Sequence, residues 1–335
     1  MTPWSAWRDG IRRVNSAPLL LVGMCTLTLL VALPLSMALR VLMSAQLGDS
    51  MFADTLAEGA SYDWWQEFLS QATGLGTTFV PSIIGFGAVL NNLGALLDNL
   101  PMATTIVGAT SAWLVLWSFL SGGVLDRYAR TRPTRSSGFF AACGTHFWRF
   151  LRLGVLSWLV YWVLFSLVHR WLFEDVYPWA TRNVTVERTA FAIRLIGYLA
   201  FGSILILSNV VFDYARIRIV VEDRRTAVGA LLAGARFVRR HPAVLRLYLI
   251  NGGGFVLLAL LYALVSPGAP SGFAIWIALA IGQFYIVMRH YVKLLFYASQ
   301  TAYFQSQLAH AAYTAAPAVV WPDSPAAEAI SNLRS

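Results

Sequence analysis

Two acid and arginine pairs are the residues of this chain best placed to do chemistry. Asp126 and Arg130 stand four apart in VLDRYAR, and Asp213 and Arg216 stand three apart in VVFDYARIR; each acid closes a long apolar run. At either spacing the two side chains share a helix face, so each acid can be neutralised by its own arginine. The alternative is that Asp126 and Asp213 face one another across a bundle and bind a cation or a cationic headgroup, because ionisable groups inside apolar spans mark ion routes. Under that alternative Asp213→Asn abolishes activity or assembly. Asn209, Asn251 and Gln283 are amides within apolar runs and would line a polar cavity at mid-membrane. The run Gly252–Gly254 beside Asn251 would either unwind to present carbonyls to a solute or let two spans approach closely.

A second set of residues is basic. Arg149 belongs to a stretch at 136–150, and Arg224 and Arg225 lead into one at 226–240 that holds Arg236, Arg239 and Arg240. Both stretches read as amphipathic helices. In the first, Phe139, Phe140, Cys143 and Phe147 share a face, with His146 and Arg149 on another; in the second, Val228, Leu231, Leu232, Ala235 and Val238 oppose Gly229, Ala233, Arg236 and Arg240. Such helices bind anionic headgroups at about 1 kcal/mol per arginine near the surface. They would equally dock a membrane-protein partner, pair copies of the chain in a homo-oligomer, or do no more than set topology.

Other chemistries lack their residues. The five histidines are scattered without ligand spacing, Cys25 and Cys143 match no metal, redox or disulfide pattern, and no nucleophile elbow or glycine-rich phosphate loop is present. No metal or other cofactor is expected. An intramembrane enzyme acting on lipid would need histidines and acids gathered around a pocket at one interface.

The elements that position these residues follow from composition. With 58% hydrophobic and 12% charged residues and a mean hydropathy of +0.61, the chain is far poorer in charge than soluble proteins, where about 25% of residues are charged. Six apolar runs, at 17–40, 102–125, 151–172, 190–212, 245–266 and 273–296, are long enough to cross a bilayer as helices, and none alternates as barrel strands do. The expected fold is all-α, a polytopic bundle of six transmembrane helices with amphipathic interfacial helices. The net charge of +9 comes mostly from arginines between these runs, so it points to the bilayer and not to nucleic acid.

Arg8, Arg12 and Arg13 place the segment 1–16 inside, and its length marks the first run as an uncleaved span, not a signal peptide. The loop 41–101 holds Asp49, Asp54, Glu58, Asp63, Glu67 and Asp98 but no Lys or Arg, so it lies outside; it carries a short interfacial helix at 62–69 and a re-entrant or interfacial helix at 79–98. Arginine-rich loops after the second and fourth runs are cytoplasmic. The residues 17–313 form the membrane domain, and 314–335, rich in proline and small residues, form a disordered tail on the same side as the N-terminus. Asn183-Val184-Thr185 fits a glycosylation sequon, which matters only in a secretory pathway.

The two junctions also suggest an internal hairpin repeat, with Gly144 set against Gly234, Phe147 against Phe237 and Arg149 against Arg239, and a weaker echo at Phe296-Tyr297-Ala298. VVFDYARIR, the following VVEDRR and the amphipathic helix after it resemble bacterial multi-span proteins similar to the membrane domain fused to some glycerophosphodiester phosphodiesterases. The resemblance covers the layout of 102–300 and rests on Asp213, Arg216 and Glu222. It implies a place in the cell inner membrane, and it carries over no catalytic residue, since no phosphodiesterase domain is present. The leading expectation is therefore a non-enzymatic membrane protein that engages anionic lipids or a partner through its cytoplasmic arginines. A transporter of a small solute, ion or lipid is the second reading.

Overall fold

The computed structural model describes residues 1–48, 62–78, 93–100, 104–130, 135–265 and 274–315. Among these, all regular structure is helical. Helix α1, Pro3–Asn15, starts at a reciprocal cap: the Thr2 hydroxyl accepts the Ser5 N–H at 3.2 Å, and the Thr2 N–H donates to Ser5 Oγ at 2.9 Å, with Pro3 at the first helical position. Then come α2 (Pro18–Leu47), α3 (Tyr62–Gln71), α4 (Thr104–Arg130), α5 (Ser136–Val163), α6 (Glu187–Val221), α7 (Ala227–Arg240), α8 (Ala243–Val265) and α9 (Ala274–Ala315). Two π-helical turns, Leu164–His169 and Trp171–Val176, carry α5 on to Thr181.

Five of these helices are long and apolar enough to cross a membrane: α2, α5 with its extension, α6, α8 and Ala274–Leu308 of α9. Helix α4, which holds the run expected at 102–125, is not among these five. Helix α3 forms where the interfacial helix was expected, burying Trp64 and Phe68 on one side. The re-entrant segment expected at 79–98 lies outside the described residues as far as position 92, as does the tail from 316 onward.

Several helices overrun the apolar runs that define them. The stretch at 136–150 is not a separate interfacial helix, since α5 passes straight through it, and between the runs expected at 151–172 and 190–212 only 182–186 is not helical. Asp213 lies inside α6, not at its end, and α9 continues well past 296. No proline or glycine pair interrupts the helices at 149–151, 213 or 296, and extending a formed helix costs little once it is nucleated. At 1.5 Å per residue the 35 residues of α6 are about 52 Å long, against roughly 30 Å of hydrocarbon, so part of the helix must project beyond it.

Those projecting parts meet at one end of the bundle. Buried side chains concentrate at 121–128, 210–219 and 290–304, where α4, α6 and α9 run in, and at 143–153 and 244–251, where α5 and α8 run out. Helices α1 and α7 complete this end, α1 lying along α9 and α7 along α6. In the membrane-spanning windows only 6–17% of residues are buried within the chain. The contrast has a physical cause. Burying a large apolar side chain away from water yields about 1.5–3 kcal/mol, whereas lipid offers an exposed leucine no such incentive to pack.

Helix α7 is amphipathic, but its faces differ from the expected ones. Ala227, Ala230, Ala233, Gly234, Phe237 and Val238 are buried, while Val228 and Leu232 are more than half exposed alongside Arg236, Arg239 and Arg240. Small residues win the inward face because α7 lies close on α6: a Cβ on Gly234 would stand 3.0 Å from the Val211 carbonyl and 3.1 Å from the Ala215 nitrogen. Likewise Cys143 and His146 share the buried side of α5, and Phe140 is left 55% exposed.

Candidate functional site

Helix α9 is the central post of the packed end, and between Leu294 and Phe304 all its residues but Phe296 are buried. Three consecutive polar residues, Ser299, Gln300 and Thr301, are at most 1% exposed. Buried polar groups generally need partners, and the run is satisfied only in part: Thr301 Oγ1 and Gln300 Oε1 have none among the described residues. Gln300 Nε2 donates to Asp213 Oδ2 at 3.3 Å, and Asp213 Oδ1 accepts from Arg216 at 3.1 Å. One turn earlier on α9, the Tyr297 hydroxyl accepts from Trp117 Nε1 at 3.1 Å, and the Lys293 ammonium lies 3.8 Å from the centre of the Trp117 ring, a cation–π contact. A string of polar and aromatic groups thus joins α6, α9 and α4.

The three Tyr-Ala echoes acquire a common role here. Tyr128, Tyr214 and Tyr297 are 1%, 0% and 5% exposed and wedge α4, α6 and α9 into one core. The hairpins do not, however, repeat their packing. The second closes on Gly234, but its expected counterpart Gly144 has open space around it. The first closes instead on Gly122 and Gly123, where an added Cβ on Gly123 would lie 2.6 Å from Cys143 Sγ.

The two acids have different partners. Asp126 is bonded to Arg130 at 2.8 Å and Asp213 to Arg216 and Gln300, so they have no partner in common. The amides scatter as well. Asn251 donates to Ser299 Oγ at 2.9 Å within the core, Asn209 accepts from Tyr161 at 2.7 Å on an exposed face, and Gln283 is exposed on the membrane-spanning part of α9. The glycine run keeps its helical winding in α8, and a Cβ on Gly252, Gly253 or Gly254 would meet nothing within 4 Å, so it neither unwinds nor packs closely.

Sequence reasoning missed the clamp that closes this end. Arg13 on α1 donates to the Tyr128 carbonyl at 2.7 Å and to Gln305 Oε1 at 2.8 Å, while Asp9 holds its Nε at 2.9 Å. Gln305 Nε2 donates to the Ala129 carbonyl at 2.8 Å, and Arg127 donates to the Ser16 carbonyl at 3.1 Å. The last carbonyls of α4, which have no partner within their own helix, are satisfied from both ends of the chain. Positions so far apart leave no local signal.

A second cluster stands at the other end. His169, set on the first π-helical turn and packed against Phe173 and Phe201, donates through Nε2 to the Leu97 carbonyl at 2.7 Å. Next to it Asp98 accepts from Arg194 at 3.0 Å and from the Tyr198 hydroxyl at 2.5 Å. The Tyr198 hydrogen bond, seconded by the Arg194 charge, holds the Asp98 carboxyl below the usual carboxylate range. A depressed acid contributes stability that is full above its unfolded value, about 3.9, and is lost as pH falls through the lower folded value. Acidification below pH 4 is therefore expected to release the segment 93–100, and hydrogen exchange there should show it. Asp98→Asn should exchange fast at neutral pH already; protection unchanged by either would contradict the assignment.

The basic residues divide into two groups. Arg149 pairs with Asp223 and ties α5 to the link between α6 and α7, and Arg224 pairs with Glu222, which also holds Arg218 at 3.4 Å. These brace the fold. Arg225, Arg236, Arg239 and Arg240 are exposed and form no ion pair among the described residues. No group of histidines, cysteines and acids that could hold a metal occurs among the described residues. No family model, no curated protein and no solved structure matches the chain.

Proposed function

We propose that the chain is a six-span inner-membrane protein whose packed end faces the cytoplasm and engages anionic lipid headgroups through the outer face of α7. In this reading α4 is the sixth span, since it runs antiparallel to α5 and ends in the shared packed end, and both termini lie inside. The observation that carries the proposal is the composition of that outer face: Val228 and Leu232 stand exposed beside Arg236, Arg239 and Arg240, none of them ion-paired among the described residues. Apolar side chains reaching acyl chains and guanidinium groups reaching phosphates suit a helix lying in the interface. A membrane partner of acidic surface would use the same face.

Transport has less support, because Asn209, Asn251 and Gln283 lie in three different surroundings and the run Gly252–Gly254 does not open α8. Replacing Arg236, Arg239 and Arg240 together by glutamine tests the proposal. At about 1 kcal/mol per arginine, the preference of the reconstituted protein for anionic over zwitterionic lipid should fall by tenfold or more at low salt. Spin-labelled lipids report that preference directly. An unaltered preference in a normally folded variant would remove α7 as the contact.

A further inference from the structure

A groove of about 620 Å³ runs between α2, α4, α8 and α9, with Lys293, the outermost member of the polar string, in its wall. Its charged wall is a single ridge of α9, where Arg289 and Lys293 stand one turn apart. Lys293 is the only lysine of the chain, held over the faces of Trp117 and Trp113 at 3.8 and 5.9 Å. Neither cation forms an ion pair among the described residues, and Asp213, the carboxylate within electrostatic reach of Lys293, is already committed to Arg216 and Gln300. His290 adds no charge requirement of its own. The Thr28 hydroxyl donates to the Met24 carbonyl, so it must accept from His290 Nε2, a pairing at 2.9 Å that fastens α2 to α9.

The other walls are apolar, with Val31 and Leu35 on α2, Phe255 on α8 and Ile286 on α9. The two kinds of wall are ordered along the membrane normal. Lys293 lies 19 residues after Ala274, about 29 Å along the helix at 1.5 Å per residue, which is close to the thickness of the hydrocarbon layer. Lys293 thus reaches headgroup level, Arg289, about 22 Å along at 1.5 Å per residue, is within snorkelling reach of it, and Ile286 and Leu35 sit deeper, at acyl level. Val31, Leu35 and Arg289 remain exposed on the rim, so the groove opens to the side.

We propose that this groove is a site for one anionic lipid, its phosphate between Arg289 and Lys293 and an acyl chain along α2 and α8. Two unpaired cations at the edge of a low-dielectric layer call for a counter-anion, and an apolar trough continuing from them calls for a hydrocarbon chain. An amphiphile supplies both. The site is separate from the arginines of α7, so it stands or falls independently of them, resting only on the chain being embedded in a bilayer.

The test is native mass spectrometry of the full chain in detergent after equilibration with phosphatidylglycerol, with phosphatidylcholine, or with phosphatidylglycerol in the presence of inorganic phosphate. The wild type should retain one phosphatidylglycerol, at least about tenfold more than the double variant R289Q/K293Q, and Lys293→Arg should restore retention. The α7 variant with three glutamines should retain it as the wild type does. Should the double variant fold poorly, Val31→Trp, which fills the trough and leaves both charges, should lose the lipid as well. Equal retention of phosphatidylcholine, displacement by millimolar phosphate, or full retention in both the charge and the trough variants would overturn the proposal.

Discussion

Gly10→Val is expected to pull α1 away from α9 and to cost the protein several kcal/mol. Helix α1 buries Ala6, Gly10 and Val14 at spacings of four, one stripe along its length. A Cβ on Gly10 would stand 2.7 Å from Ser299 Cβ and 2.9 Å from the Ser299 Cα and nitrogen. The obstacle is therefore backbone, in the most buried part of the central helix, and no rotamer change relieves it. Overpacking a tight contact costs typically about 1–3 kcal/mol even where side chains can shift, and valine adds two methyl groups beyond the offending Cβ. The loss spreads further, because Arg13 sits one turn on and holds the end of α4 through the Tyr128 carbonyl. Thermal unfolding in detergent should show a drop of many degrees, together with early proteolysis of the first 16 residues. Gly23→Ala serves as the comparison, since its Cβ meets nothing within 4 Å and should be nearly neutral.

The second large effect concerns Asp213. Removing one member of a buried ion pair costs about 3–5 kcal/mol because the other charge is left stranded. The side chains of Asp213 and Arg216 retain 16% and 28% exposure, which lowers the expectation for Asp213→Ala to about 2–3 kcal/mol. Gln300 loses its acceptor in the same step, and its Oε1 already lacks a partner. Asp213→Asn keeps an acceptor for Arg216 and should cost about half as much. Pairing Asp213→Ala with Arg216→Met should recover part of the loss, since the stranded charge goes too. Chemical denaturation of the four proteins gives the coupling; strictly additive losses would show that the pair is not the reason for the aspartate.

This result bears on how the acid should be understood. From sequence, Asp213 could as well have been half of a cation site shared with Asp126. The choice between own-helix pairing and a shared site depends on which way α6 is turned, and hydrophobic periodicity does not determine that for a helix apolar all round. What could be read was the local part: the apolar runs, the arginine bias between them and the interfacial helix around Trp64. Helix ends were not legible at Arg149, Asp213 or Phe296, because charge marks the edge of hydrocarbon and not the end of a helix. The faces of α7 were misjudged for a related reason. Hydrophobicity grouped Val228, Leu232 and Val238 on one face, but the close approach at Gly234 turns Ala230, Ala233 and Gly234 inward together with Val238 and leaves Val228 and Leu232 exposed. The Arg13 clamp and the Lys293 groove needed residues brought together from 13, 128 and 305, and from 28, 113 and 293, which no local pattern joins.

The central claim is that every packed helix end, the N-terminal helix and the α7 arginines share one side of the membrane. Side-specific labelling tests it most directly. In a Cys25→Ala, Cys143→Ala background, single cysteines at the exposed positions Arg8, Arg239 and Thr185 are treated with a membrane-impermeant maleimide in sealed vesicles of either orientation. The six-span arrangement predicts that Arg8→Cys and Arg239→Cys react only when the cytoplasmic side is accessible and Thr185→Cys only from the opposite side. Reaction of Arg8→Cys and Arg239→Cys from different sides, or of Thr185→Cys from the same side as both, would contradict it.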